Sequence, residues 1–258
     1  LPLYGIELEI DQKDGFAVQY EEVSDEIGDK FFPEIYQTID VSLQEYGIEL
    51  ISNPCSLKYH EETMPWVEIL KIAETGGYRS HDASKSCGLH IHISDDFLTH
   101  RQKLILIFFF EYFYDRMVVL SRRTTSQAER WANSYIQFSG MGSPDALRSF
   151  IDTYGIRELG IRTGSSGSKM WICNTKPSST TEIRIFRGTL DPTRLYQSLG
   201  VVDAMVGFSK IVSKKHPTSL CDLDLLDYTW DDFVKYTKDL YPNRIVYDYI
   251  VEKGLEWS

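Results

Sequence analysis

Three short segments alternate apolar and polar residues along their whole length. They are Gly5-Ile6-Glu7-Leu8-Glu9-Ile10, then Cys87-Gly88-Leu89-His90-Ile91-His92-Ile93-Ser94, then Thr180-Thr181-Glu182-Ile183-Arg184-Ile185-Phe186-Arg187-Gly188. Side chains in a strand repeat with a period of two, so each segment reads as a strand with one dry face and one wet face. Glu7 and Glu9 share the wet face of the first, His90, His92 and Ser94 that of the second, Glu182 and Arg184 that of the third. The opposite faces carry Ile6, Leu8, Ile10, Leu89, Ile91, Ile93, Ile183 and Ile185, which need a core to pack on. A surface that gathers three glutamates, two histidines and an arginine has the chemistry of a cation and phosphate site.

At 258 residues with 42% hydrophobic side chains, the chain can bury a sizeable core. The net charge of −11 argues against a nucleic-acid partner gripped by a basic face. Cys55, Cys87, Cys173 and Cys221 are scattered without a CxxC pair, which reads as reduced thiols of a cytoplasmic protein. The chain opens at Leu1 rather than Met, compatible with residues upstream, and no signal peptide is visible. The most apolar stretch, residues 104–120, holds Glu111, Asp115 and Arg116 near its middle and is short for a membrane span. It reads as a buried helix over about 100–121, with Glu111 placed to pair with Asp115 or Arg116.

Around these segments the pattern predicts a strand at 4–10, a polar irregular stretch over 11–35, and a strand pair over about 37–52. A helix follows at 61–75, with Pro65 in its first turn, and the histidine strand at 87–94. A short helix begins near Pro144. Gly164 to Lys169 is a glycine-rich loop without the spacing of a phosphate-binding P-loop. Strands at 169–174 and 180–187 precede a long helix from Asp191-Pro192 to about 213, and helices near 229–240 and 243–253 close the chain. Strands that come as hairpins, with helices between or after them, predict an α+β fold on an antiparallel sheet, in a single domain over 1–258.

Each motif has a plain reading. Glu7 and Glu9 are compatible with the wet face of an edge strand. His90 and His92 are compatible with a zinc or iron pair of a hydrolase, or with two half-buried, hydrogen-bonded imidazoles. Arg184 can salt-bridge a strand neighbour, and Arg122, Arg123 and Arg130 can bind an anionic substrate but by default read as a charged surface loop. Arg187 faces away from Arg184 in a regular strand and reaches its side only through a bulge or the strand end, which Gly188 permits.

The order of the motifs adds to this. Gly5-Ile6-Glu7-Leu8-Glu9, Gly47-Ile48-Glu49-Leu50-Ile51-Ser52-Asn53-Pro54, Cys87-Gly88-Leu89-His90-Ile91-His92 and Thr181-Glu182-Ile183-Arg184-Ile185-Phe186 follow the pattern of the amidoligase family of phages and bacteria. That family resembles a reduced relative of the glutamine synthetase and glutamate–cysteine ligase superfamily. The resemblance implies a curved antiparallel sheet with helices on its convex side, and an enzyme that uses ATP and Mg²⁺ or Mn²⁺ to join a carboxylate to an amine. It implies that Glu7, His90 and Glu182 ligate the metal at the nucleotide phosphates, and that Glu9 and Glu49 ligate a second metal near the acyl substrate. His92 and Ser94 then lie beside the nucleotide, and Arg184 on the transferred phosphoryl group, with Arg187 and Glu49 as further catalytic candidates. The sequence has no counterpart of the separate amino-terminal domain of glutamine synthetase, so that enzyme's ring assembly is not expected to carry over. Where glutamine synthetase has two glutamates in the second segment this chain shows one, and Asp40 or Glu45 are the candidates to replace the other. The substrates fall in the classes of small molecule, peptide or protein side chain. A metal-dependent hydrolase and a non-catalytic nucleotide-binding relative are the alternatives.

Overall fold

The computed structural model describes residues 1–12, 19–39, 43, 46–81, 87–138, 141–162, 171–215 and 228–256. Asp40, Glu45, Cys221, the Gly164–Lys169 loop and the first part of the strand expected at 169–174 lie outside the described residues.

The strands are β1 (Tyr4–Gln12), β2 (Ile35–Thr38), β3 (Ile48–Ser52), β4 (Tyr78–Arg79), β5 (Gly88–Ser94), β6 (Cys173–Asn174) and β7 (Thr180–Arg187). They form an open antiparallel sheet in the order β2-β3-β1-β5-β7-β6, and β4 pairs with the end of β1. The α+β architecture is therefore as the hairpin pattern predicts. Register sets the faces, because residues directly opposite one another point the same way. Leu8 opposes both Leu50 and Leu89, Ile6 opposes Ile91, Tyr4 opposes Ile93, and Ile91 opposes Ile183. All of these side chains are fully buried and belong to one hydrophobic core shared with the helices.

Between the strands run α1 (Tyr20–Phe31), α2 (Leu57–Glu62), α3 (Trp66–Thr75), α4 (His100–Tyr112), α5 (Tyr114–Ser121), α6 (Thr125–Trp131), α7 (Tyr135–Phe138), α8 (Pro144–Tyr154) and α9 (Ile156–Arg162). After β7 come α10 (Pro192–Lys215), α11 (Trp230–Asp239) and α12 (Ile245–Glu252). Tyr4 ties the apolar face to α10, its hydroxyl donating to Asp203 at 2.6 Å. No helix among the described residues is long and apolar enough to cross a membrane.

Three local expectations change. The stretch 11–35 is not irregular throughout: α1 buries Val23, Ile27 and Phe31, spaced four apart on an otherwise acidic helix. The helix expected at 61–75 is two helices, with Pro65 at the break as the residue before α3. The apolar helix likewise divides at Phe113 into α4 and α5. Its first part is buried on every side from Leu104 to Glu111, because α4 packs against α10 and the aromatic rings of α11. Glu111 does not pair along its own helix. It accepts from the Ser134 hydroxyl and from the backbone N–H groups of Tyr135 (2.9 Å) and Ile136 (3.0 Å), capping α7, while Arg116 lies over the Trp230 ring.

Strand β7 carries one irregularity. Along β5, Leu89 to Ile91 is two residues; the partners on β7, Phe186 to Ile183, are three apart. The extra residue makes a β-bulge that shifts the alternation of everything after it.

Candidate functional site

The polar face is built in rows that cross the strands. Gly5, His92, Glu182 and Asn174 stand opposite one another across β1, β5, β7 and β6. Ile51, Glu7 and His90 form the next row, and Thr38, Glu49 and Glu9 the one beyond. Gly88 donates its N–H to the Glu9 carboxylate and opposes Arg187. The sheet thus places Glu7, Glu9, His90, His92, Glu182 and Arg184 on one surface, as their alternation predicts, and the pairing of Glu9 with Glu49 adds Glu49 to it. Ser94 stands at the end of β5 opposite Thr180. Arg187 reaches the same face, and the bulge in β7 is the reason, lying before Phe186 rather than at Gly188.

Glu7, His92 and Glu182 offer ligand atoms that lie within 4.8 Å of one another. His90 adjoins them. Its Nδ1 is 3.4 Å from Glu7 Oε2 and 3.6 Å from Glu182 Oε1, and its Nε2 is 3.8 Å from Glu9 Oε1. It is His92, which the resemblance puts beside the nucleotide, that stands in the group of three, with His90 next to it.

Other side chains fix these groups in place. Thr180 Oγ1 is 2.9 Å from His92 Nδ1, which turns Nε2 toward Glu7 Oε1, 3.1 Å away. Asn174 Nδ2 donates to Glu182 Oε2 at 2.6 Å, while Arg184 donates to the other oxygen, Oε1. Arg184 Nη1 is also 3.4 Å from His90 Nδ1. Gly88 allows the close packing here, since a Cβ on it would sit 2.7 Å from His90 Nε2 and 3.2 Å from Arg123 Nη2.

Charge at the site is partly offset by its own side chains. Burial would lift the Glu7 carboxyl, but the His90 and His92 imidazoles outweigh it and hold the group well below the usual carboxylate range. Burial also opposes ionisation of Glu182, and Arg184, then His90 and His92, overcome it in the same direction. His92 is the counterpart: burial disfavours its charge, yet Glu7 and Glu182 lift it above the ordinary imidazole value. Arg184 and the two imidazoles thus offset part of the carboxylate charge that a cation would otherwise meet.

These residues fit a divalent ion. Bonds of about 2.1 Å to Mg²⁺ set neighbouring ligand atoms about 3 to 4 Å apart, and here His92 Nε2 and Glu7 Oε1 stand 3.1 Å apart with the whole group inside 4.8 Å. His92 Nε2 is buried and, though near Glu7, makes no aligned hydrogen bond, as suits a nitrogen with a ligand to take. Two carboxylates and one imidazole are donors for a hard or borderline cation.

The plain reading of Arg122 and Arg123 as a surface loop does not hold. Arg123 is 5% exposed; its Nε donates to the Ile185 carbonyl at 3.0 Å and its Nη2 to the Phe186 carbonyl at 3.1 Å. Arg122 Nη2 donates to the Arg187 carbonyl at 3.1 Å. Thr180 and Asn174 were equally inconspicuous in the sequence. Thr180 shares the alternation of Glu182, a signal that could have found it; Asn174 and the two arginines join the site only through tertiary structure.

A comparison with curated proteins returns no match. A family model covers residues 7–206 of the 258, a span that holds the polar face from Glu7 to Arg187. Its description is "Putative amidoligase enzyme", and the chain belongs to this amidoligase family.

Proposed function

We propose that the protein is an ATP- and Mg²⁺-dependent ligase, with Mn²⁺ as an alternative ion, that joins a carboxylate to an amine through an acyl phosphate. The observation that carries the proposal is the cluster of Glu7, His92 and Glu182 beside Arg184, in a chain of the amidoligase family. In this reading Glu7, Glu182 and the two histidines hold an ion at the nucleotide phosphates, and Glu9 and Glu49 hold a second nearer the acyl substrate. Bound cations would neutralise the charge of the triphosphate and of the phosphoryl group in transfer. Arg184 grips that phosphoryl group through its planar fork, Arg187 supports it from the next position on the face, and His92 and Ser94 border the nucleotide.

The substrate carboxylate oxygen would attack the terminal phosphorus as the bond to ADP breaks. The amine would then displace inorganic phosphate as the carbon–nitrogen bond forms. We further propose that residues 1–258 act as one catalytic domain of glutamine-synthetase-like fold, its sheet curved and its helices on the convex side. Support comes from the division of the sheet into one polar and one buried face. A metal-dependent hydrolase built on His90, His92 and a glutamate draws less support, because the family model that matches the chain is one of amidoligases.

The test is a screen of acids and amines for stimulated ATP consumption, followed by chromatography of the spent nucleotide. ADP and inorganic phosphate are expected. AMP as the main product overturns the acyl-phosphate route.

A further inference from the structure

We propose that Arg123, with Arg122 beside it, is a positioning residue: the pair holds the bulge in β7 and so keeps Arg187 on the same face as Arg184. The inference rests on the reading of that face as a nucleotide-phosphate site. Arg184 and Arg187 are three residues apart, and a regular strand would point them to opposite faces. The bulge adds one residue, and Arg187 thereby comes to oppose Gly88 on the polar side.

A bulge leaves backbone groups outside the ladder, and buried carbonyls need donors. Three successive carbonyls at this end of β7, those of Ile185, Phe186 and Arg187, all accept from the two arginines. A guanidinium spans two adjacent carbonyls, as Arg123 does through Nε and Nη2; an ammonium cannot. The donors themselves are fixed. Arg122 adopts φ 65°, turning the chain sharply after α5, and the Arg123 N–H donates to the Ser121 hydroxyl at 3.2 Å. The side chain of Arg123 passes against Gly88, where a Cβ would crowd it. The geometry joins the turn after α5, the bulge and the glycine into one device that sets which way Arg187 points.

The test measures the dissociation constant for Mg²⁺–adenylyl imidodiphosphate in the parent, Arg187→Met, Arg123→Lys and the double variant. Each single change is expected to weaken binding about tenfold, and the double change no more than about threefold beyond the weaker single, because both remove the same contact. Effects that multiply, or parent-like binding by Arg123→Lys, overturn the proposal. Should Arg123→Lys fail to fold, Arg122→Gln removes one carbonyl contact from a less buried position and is subject to the same cycle. A crystal structure of the folded variant reads the register directly: loss of the Gly88–Arg187 pairing supports the proposal, and an unchanged bulge overturns it. Absence of nucleotide binding by the parent protein would instead defeat the ligase reading, and the register would still decide whether the arginines hold the bulge.

Discussion

Glu7 shows how a single residue on the polar face is both costly and useful. Burial disfavours its charge, and the imidazoles around it more than offset that, so a neutral side chain of the same shape keeps the packing but gives up those contacts. Glu7→Gln with Glu9→Gln should fold but melt somewhat below the parent, because the favourable contacts of the Glu7 charge with His90 and His92 are given up, and should lose the rise in melting temperature that Mg²⁺–nucleotide gives the parent. A double variant still stabilised as strongly as the parent would remove these residues from the site. Because Glu7 and Glu182 lift His92, metal and proton compete for the same cluster. Mg²⁺ should bind more weakly as pH falls and should release protons on binding, which calorimetry in buffers of different ionisation enthalpy would detect. Arg184→Lys should lower turnover by about tenfold or more with a smaller change in nucleotide affinity, since the fork matters most as the phosphoryl group moves. Parent-like turnover in the lysine variant would end its role.

At the scale of elements, the aromatic seam between α4 and α11 dominates the packing. The Phe109 ring lies 4.8 to 6.2 Å from those of Phe113, Phe208, Trp230 and Phe233, and Phe109→Ala should cost about 3–5 kcal/mol in urea unfolding. The elements that carry chemistry were legible in the sequence because period-two alternation places Glu7 with Glu9 and His90 with His92 before any pairing is known. Arg187 was not assignable, because a bulge is a one-residue accident of register with no compositional mark. Arg122 and Arg123 looked like surface charge for the same reason: the carbonyls they satisfy are more than 60 residues away in sequence. Helix α1 was missed because three buried side chains in an acidic stretch give a weak periodic signal.

For the whole molecule, His81 makes stability depend on pH. It is buried beside Arg187 and Arg123, and burial first, then those two cations, lower its pKa to about 4. The unfolded chain regains the ordinary value of about 6.5, so between these limits it binds more protons than the folded protein. Stability is therefore full above about pH 6.5 and falls as pH drops toward 4, by about 1–2 kcal/mol from this residue once solvent screening is allowed for. His81→Asn should flatten that part of the profile in urea titrations at pH 7 and pH 5.

The half-buried Asp203 carboxylate takes one hydroxyl from Tyr4, on the strand that carries Glu7 and Glu9, and another from Tyr241, which precedes α12. Tyr249 of α12 likewise donates to the Leu120 carbonyl at 2.6 Å, at the end of α5, next to the two arginines of the bulge. The family match stops at residue 206, in the middle of α10, whereas the hydrophobic core continues through Phe233, Val246 and Ile250. What relatives hold in common and what one chain must fold together have different borders here. A fragment cut at residue 206 should lack a sharp melting transition, because it loses Phe233, Val246 and Ile250 from the core and the Tyr241 hydroxyl that shares Asp203 with Tyr4 of β1.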